Sequence, residues 1–304
     1  MEQTEIYILG GFLGAGKTTL LKNLLQEEKA AGRKVAVVMN ELGKESIDSS
    51  AVSEDIPLKE LLNGCVCCTM QGQFEAQLHA LLAENELDVI YIETTGAAHP
   101  VEVLDSCLSP LFADKLLVRG IISLADGSRW QDQDRLSIPV RRLLHEQIKH
   151  ADLVLLNKTD LLTETEQGEV VREIQEIQAK GKVLMTAHAR VKLEDIRKLT
   201  ASPKGAVLKS GINEQLHMKT YVHKFTGTVD LGGFEQFLRD MPDTIYRIKG
   251  YVSFADTDGC FSVQYSYGMP MYMKEPVKMK PLLVFIGEDL DHSWIRSKME
   301  EITK

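Results

Sequence analysis

The sequence predicts an α/β protein with a mostly parallel, doubly wound sheet, followed by a small α+β domain. Short apolar runs alternate with helical segments as far as residue 200, the pattern of a parallel sheet with crossover helices. A glycine-rich loop joins the first run to the first helix. Beyond Ala201-Ser202-Pro203-Lys204-Gly205, a turn or linker signal, strand patterns take over.

In order along the chain, Ile6–Leu9 reads as a buried strand ending in Gly10-Gly11. Thr18–Lys29 has helical periodicity, with leucines at 20, 21, 24 and 25. Val35–Met39 is a second buried strand, and Gln73–Ala83 a helix with Phe74, Leu78, Leu81 and Leu82 on one side. Val89–Ile92, Val118–Leu124, Leu153–Leu156 and Val183–Met185 complete the strands. Arg141–Lys149 and Glu166–Ala179 are helices between them. The second domain reads as strand Tyr221–Val229, helix Leu231–Arg239, strand Thr244–Phe254 and a hairpin turn at Asp256–Gly259. Strand Phe261–Tyr267, strand Leu282–Ile286 and helix His292–Ile302 follow. The expected division is 1–200, a linker at 201–217, and 218–304. Tyr265, Tyr267 and Tyr272, with Met269, Met271 and Met273, suit either a sticky surface or core packing and loop contacts, and the second is favoured.

Composition narrows the class. The chain has 304 residues, 44% hydrophobic and 26% charged, which fits two ordinary globular domains and excludes disordered and collagen-like chains. No apolar run reaches the roughly 18–20 residues of a membrane span. The N-terminus carries Glu2 and no basic region, and its first apolar stretch reads as a strand rather than a signal peptide, so a cytoplasmic location is expected. A net charge of −9 argues against broad nucleic-acid binding. It leaves room for a nucleotide, which needs only a local site.

Such a site is written at Gly11-Phe12-Leu13-Gly14-Ala15-Gly16-Lys17-Thr18, a GxxxxGK[ST] loop between a strand and a helix. This makes the first domain a P-loop NTPase. Its backbone N–H groups can point at phosphate oxygens, aided by the helix N-terminus. Gly11, Gly14, Ala15, Gly16, Lys17, Thr18 and Thr19 are the phosphate-site candidates. Lys17 reaches the β- and γ-phosphates, and the Thr18 hydroxyl ligates Mg²⁺. Asn157-Lys158-Thr159-Asp160 follows the strand Leu153–Leu156. The Asp160 carboxylate can accept from N1–H and the exocyclic amine of guanine, donors that adenine lacks, so GTP and GDP are the expected nucleotides. The Lys158 stem can lie along the ring, and Thr186-Ala187 resembles a further base-contacting loop. Glu93, in Glu93-Thr94-Thr95-Gly96, ends a buried strand and can hold Mg²⁺ through water. The Gly96 N–H can meet the γ-phosphate, so the loop after it would sense that phosphate.

Five cysteines are present, three of them at Cys65, Cys67 and Cys68. In a cytosolic chain such a cluster points to metal or redox chemistry rather than a disulfide framework. Thiolates suit Zn²⁺, and a tetrahedral site wants about four ligands. Glu41, a histidine or water must therefore complete the set. Buried cysteine used as a small hydrophobe is the alternative. Cys107 and Cys260 are isolated core or surface thiols.

Together these motifs resemble the CobW-type family of metal-handling P-loop GTPases. The matching segments are Gly11–Thr19, Asn40-Glu41-Leu42-Gly43, Gly64–Cys68, Glu93–Gly96 and Asn157–Asp160, with a small C-terminal domain. The resemblance implies GTP hydrolysis coupled to delivery of a divalent metal, zinc or cobalt (Zn²⁺ or Co²⁺), to a client metalloprotein. It implies Glu41 and the three cysteines as metal ligands, and Asp48 as a switch residue near Mg²⁺ or the attacking water. GTPases of this class often pair, so a homodimer is a candidate assembly. The family often continues NEFGE, whereas Lys44 takes the acidic position here and Glu45 is shifted by one. His99, close after Gly96, reads as a polar loop residue rather than a ligand. The alternatives are a zinc-responsive GTPase that regulates a partner without delivering metal, and a GTPase whose cysteines are only structural.

Overall fold

The computed structural model describes residues 3–40, 58–61, 68–94, 96, 100–179, 181–198, 219–266, 269–287 and 290–304. These fall into two compact units. One is drawn from Met1–Cys107 and Lys115–Leu216, the other from Leu108–Asp114 and His217–Lys304.

The first unit is built on a seven-stranded sheet in the order β3-β2-β4-β1-β5-β6-β7. Its strands are β1 (Thr4–Gly11), β2 (Val35–Asn40), β3 (Leu58–Leu61), β4 (Val89–Glu93), β5 (Leu116–Asp126), β6 (Leu153–Asn157) and β7 (Lys182–Met185). Every pairing is parallel. Six strands match the apolar runs; a parallel strand buried on both faces reads as continuous Val, Ile and Leu, whereas edge strand β7 matches a short run while only half-buried. β3 was not expected. It is an edge strand with Lys59 and Glu60 at its centre, and an edge strand needs no apolar run.

Helix α1 (Lys17–Ala30) buries Leu20, Leu21, Leu24 and Leu25 against Tyr7, Leu9, Val37 and Tyr91 of the sheet. It also buries Glu28 completely. That carboxylate accepts from Tyr91 Oη at 2.8 Å and Arg197 at 2.7 Å, and from Arg33 at 3.2 Å. Helices α2 (Cys68–Glu84), α5 (Ile138–Lys149) and α6 (Glu164–Ile177) match the periodic segments. Three short helices do not match one: α3 (Pro100–Cys107), α4 (Gly127–Gln131) and α7 (Leu193–Arg197). They are too short to show helical periodicity above local noise.

The second unit has an antiparallel sheet in the order β11-β10-β9-β12-β8. Its strands are β8 (Lys219–Lys224), β9 (Ile245–Val252), β10 (Cys260–Ser266), β11 (Met269–Glu275) and β12 (Leu282–Gly287). Helices α8 (Leu231–Asp240) and α9 (His292–Glu301) bury Phe234, Phe237, Ile295 and Met299 against Ile248, Val263, Leu283 and Phe285. On the other face Leu282, Val284 and Ile286 pack with Val222, Leu108 and Ala113. Lys224 Nζ pairs there with Asp114 at 2.5 Å.

Two expectations change in this unit. The first strand stops at Lys224 rather than Val229. A Cβ on Gly227 would lie 2.1 Å from the Lys304 carbonyl oxygen, so the chain bends there against the C-terminus. Met269, Met271 and Met273 are neither core nor loop: they lie on edge strand β11, 72%, 57% and 55% exposed. Tyr265 and Tyr272 do pack against the core, while Tyr267 lies outside the described residues. Cys107 and Cys260 are both buried free thiols, and burial raises the Cys107 thiol far above its ordinary range.

Candidate nucleotide site

The phosphate loop connects the carboxyl end of β1 to α1, the place where open α/β sheets bind ligands. Gly16 caps α1 in the left-handed region, at φ 109°, with no side-chain cap. The helix N-terminus is therefore not closed by a side chain and can receive an anion. A Cβ on Gly16 would lie 2.5 Å from Asn157 Nδ2, so β6 approaches the loop closely at this point. The Lys17 ammonium is buried and donates to the carbonyls of Gly11 (2.9 Å) and Phe12 (3.3 Å). A phosphate oxygen can compete for the same donors. Thr18 Oγ1 donates to Glu93 Oε1 at 3.0 Å. That juxtaposes a hydroxyl and a carboxylate oxygen at the mouth of the loop, a donor set that suits a hard cation such as Mg²⁺.

Gly96 lies two residues after Thr94, whose backbone N–H and hydroxyl both donate to the Leu9 carbonyl. It rests directly on the phosphate loop: an added Cβ would lie 2.7 Å from the Leu13 nitrogen. The sequence motifs Gly11–Thr18 and Glu93–Gly96, about 80 residues apart, are thus brought together.

The end of the site that carries the Asn157–Asp160 motif is knitted by Asn157, which is 3% exposed. Its Nδ2 donates to Ala15 O at 2.8 Å, and its Oδ1 accepts from Ala189 N–H at 2.9 Å. One side chain thereby couples the phosphate loop to the loop after β7. Thr159 adds a second tie, with both its N–H and its hydroxyl donating to Thr186 O. Lys158 is left-handed at φ 61°, as are His188 and Ala189. Non-glycine residues take this conformation rarely, and such strain clusters at ligand sites. Asp160 is exposed and Ala187 half-buried. The Asp160 carboxylate is thus open to a base rather than buried before one arrives.

Sequence reading missed Asp126. It ends β5, caps α4 through Arg129 N–H, and accepts from Ser128 Oγ at 2.8 Å and Lys158 Nζ at 2.6 Å. Burial pushes its carboxyl up, but the bonds from Lys158, Ser128 and Arg129 outweigh that and hold it below the usual carboxylate range. Asp126 therefore fixes the Lys158 ammonium. Arg129 was missed as well. Its Nη1 donates to Leu13 O at 2.8 Å, and its guanidinium lies 5.0 Å over the Phe12 ring. The available signal was Asp126-Gly127-Ser128, an N-cap at a strand end.

Glu41, Asp48, Cys65, Cys67 and His99 lie outside the described residues; Cys68 is the first residue of α2. Their attachment points are nonetheless fixed. Asn40, next to Glu41, pairs with Leu61 of β3, and Met39 pairs with Glu93. Segment 41–57 therefore leaves the carboxyl end of β2, next to the strand that ends in Glu93, and segment 62–67 leaves the carboxyl end of edge strand β3, one strand further out. Among the described residues no group of three or more His, Cys, Asp or Glu side chains is placed to hold a metal. Among them, too, no helix is long and apolar enough to cross a membrane.

This fold and loop define a P-loop nucleotide-binding protein. Residues 5–185 match the CobW/HypB/UreG nucleotide-binding domain and residues 218–303 the cobalamin synthesis protein cobW C-terminal domain, so the chain belongs to the CobW/HypB/UreG family. It is 34% identical over 182 residues to a zinc chaperone CobW of Sinorhizobium, covering 51% of each chain. It is 32% identical to the zinc chaperone YjiA of Escherichia coli, covering 64% of this chain and 60% of that one. A zinc-regulated GTPase metalloprotein activator 1 of Schizosaccharomyces pombe is 32% identical, with 66% and 49% covered. The chain spans between about half and three-fifths of the length of these relatives. The crystal structure of Zn(II)-bound YjiA GTPase shares the fold, with a TM-score of 0.51 at 23% identity over the whole of both chains.

Proposed function

We propose that this chain is a GTP-hydrolysing metallochaperone. It binds a divalent transition metal, zinc first and cobalt as a second candidate, through Glu41, Cys65, Cys67 and Cys68 while GTP is bound, and releases it to a client metalloprotein after hydrolysis. The observation that carries this reading is the register of β2, β3 and β4. Asn40 pairs with Leu61 and Met39 with Glu93. The segment bearing Glu41 thus starts on the strand next to the carboxylate that faces Thr18, and the segment bearing the thiol motif starts one strand further out, at the same end of the sheet. Metal ligands attached there respond to whatever orders the phosphate end of the site. Zinc also appears in the names of the relatives above.

The roles proposed within the site are ones that the geometry of its described residues supports. Lys17 turns from the Gly11 and Phe12 carbonyls to the β- and γ-phosphates. The N–H groups of Gly14, Ala15 and Gly16, and those of Lys17, Thr18 and Thr19 at the helix start, cradle the phosphate oxygens. Thr18 and Glu93 would hold Mg²⁺, which when bound neutralises charge on the phosphate oxygens. Asp160 reads guanine, with Lys158 along the ring and Ala187 in the loop beyond. Asp48 is assigned to the neighbourhood of the attacking water. Gly96 contacts the γ-phosphate, and loss of that contact on hydrolysis relaxes the loops.

Two variants test the reading. Lys17→Ala abolishes GTP turnover, measured as phosphate release. The Cys65→Ser, Cys67→Ser, Cys68→Ser triple variant binds GTP normally and binds zinc at least tenfold more weakly, measured against a chelator. Unchanged zinc affinity in the triple variant overturns the thiolate assignment.

A further inference from the structure

Gly96 is held from two sides. Its Cα lies against the tip of the phosphate loop, where no side chain fits, with the Leu13 nitrogen 2.7 Å from an added Cβ. Its carbonyl accepts a hydrogen bond from Gln147 Nε2 at 3.1 Å, across 51 residues of sequence. Gln147 is 1% exposed and lies near the end of α5. Its helix is anchored independently of the loop, because Leu144 and Ile148 are buried with Trp130, Val154 and Ile174 in the core. Leu13 is fixed in turn by the bond from Arg129 to its carbonyl. Filling space alone would call for a methionine or leucine at 147. A buried amide is costly unless it is hydrogen-bonded, and this one reaches out of its helix to a loop carbonyl.

We propose that Gln147 is a positioning residue for the phosphate-sensing loop. By holding the Gly96 carbonyl it fixes that residue against Leu13, so that the Gly96 N–H is presented to a γ-phosphate before GTP arrives. This rests on the reading of Gly96 as the γ-phosphate contact. The physical basis is entropic. Glycine has more backbone freedom than any other residue, and without an external tie GTP binding must order it. A bond made in advance removes that cost from binding and from turnover. GDP has no γ-phosphate and gains nothing from it. Gln147 therefore acts on the difference between the two nucleotides.

The test compares Gln147→Met, which keeps length and volume but removes the donor, with the full-length wild-type chain. Affinities are measured for GDP and for a non-hydrolysable GTP analogue, with kcat and KM for GTP. The expected result is a fall of about tenfold in analogue affinity and in kcat/KM, with GDP affinity unchanged, as for one lost hydrogen bond. If Gln147→Met does not fold, Gln147→Asn serves, since it keeps the amide but is one methylene too short to reach Gly96. Equal losses for both nucleotides, or none, overturn the proposal. The amide resonance of Gly96 in nitrogen-15-labelled protein separates the two levels. If it responds to the GTP analogue and not to GDP while Gln147→Met leaves the nucleotide preference unchanged, the role of Gln147 fails alone. If it responds alike to both nucleotides, the Gly96 reading fails and the proposal falls with it.

Discussion

At the scale of single residues, the site depends on side chains that hold loops rather than touch phosphate. Asn157 has both ends of its amide engaged, on Ala15 O and Ala189 N–H. Asn157→Ala leaves two buried backbone groups unpaired, at about 1–3 kcal/mol each. We expect a lower unfolding midpoint and weaker binding of both GDP and GTP, measured by thermal denaturation and nucleotide titration. Asp126 contributes to acid stability. Its folded pKa lies below the ordinary value of 3.8. The unfolded chain therefore binds its proton first as pH falls, and the stabilisation is present above that value and lost on descending through it. Asp126→Asn should remove this part of the acid limb, below about pH 4, and should weaken guanine-nucleotide binding by freeing Lys158. An acid limb identical to wild type would contradict the assignment.

At the scale of elements, α1 joins the phosphate loop to the core through its leucine face and through a buried charge. The leucines at 20, 21, 24 and 25 were legible because helical spacing repeats them. Glu28 was not legible, since a carboxylate on an apolar face reads as an exception until Tyr91, Arg33 and Arg197 are seen around it. Glu28→Ala should cost about 1–3 kcal/mol, because it takes the acceptor from the buried Tyr91 hydroxyl, whereas Arg33 keeps Glu5 and Arg197 is partly exposed. A change under about 0.5 kcal/mol in urea denaturation would show that the network contributes nothing beyond an ordinary surface substitution. The same contrast explains the rest of the site. Glycine-rich and NKxD motifs are contiguous in sequence and were read directly. Asp126, Arg129 and Gln147 act through bonds to distant backbone, such as Leu13 O and Gly96 O, and no local spacing announces such bonds.

At the scale of the whole molecule, the parallel sheet followed from strand–helix alternation, whose period changes are strong signals in a chain of this length. The edge strands were the weak points. β3 carries Lys59 and Glu60, and β11 the exposed Met269, Met271 and Met273, so neither reads as a continuous run of Val, Ile and Leu. The second unit also holds a piece from far upstream. Leu108 and Ala113 pack on Leu282, Val284 and Ile286, and Asp114 pairs with Lys224. Nothing in the composition near residue 110 separates this piece from its surroundings. A fragment of residues 218–304 made alone should therefore expose an apolar strip and bind a hydrophobic dye. Adding a peptide of residues 108–114 should reduce that signal, and a fragment that stays dye-silent on its own would refute the covering role.

The central claim is that nucleotide state sets metal affinity. Linkage requires the effect to be reciprocal: if GTP tightens metal binding, metal tightens GTP binding by the same factor. The direct measurement is a titration of Co²⁺, an optical stand-in for Zn²⁺, into the reduced protein with Mg²⁺ and either a non-hydrolysable GTP analogue or GDP. The readouts are the thiolate-to-metal charge-transfer band and competition with a chelator. The account predicts binding at least tenfold tighter with the GTP analogue, about 1.4 kcal/mol of coupling. Equal affinity with both nucleotides would contradict it, leaving the cysteines structural or constitutively metal-loaded.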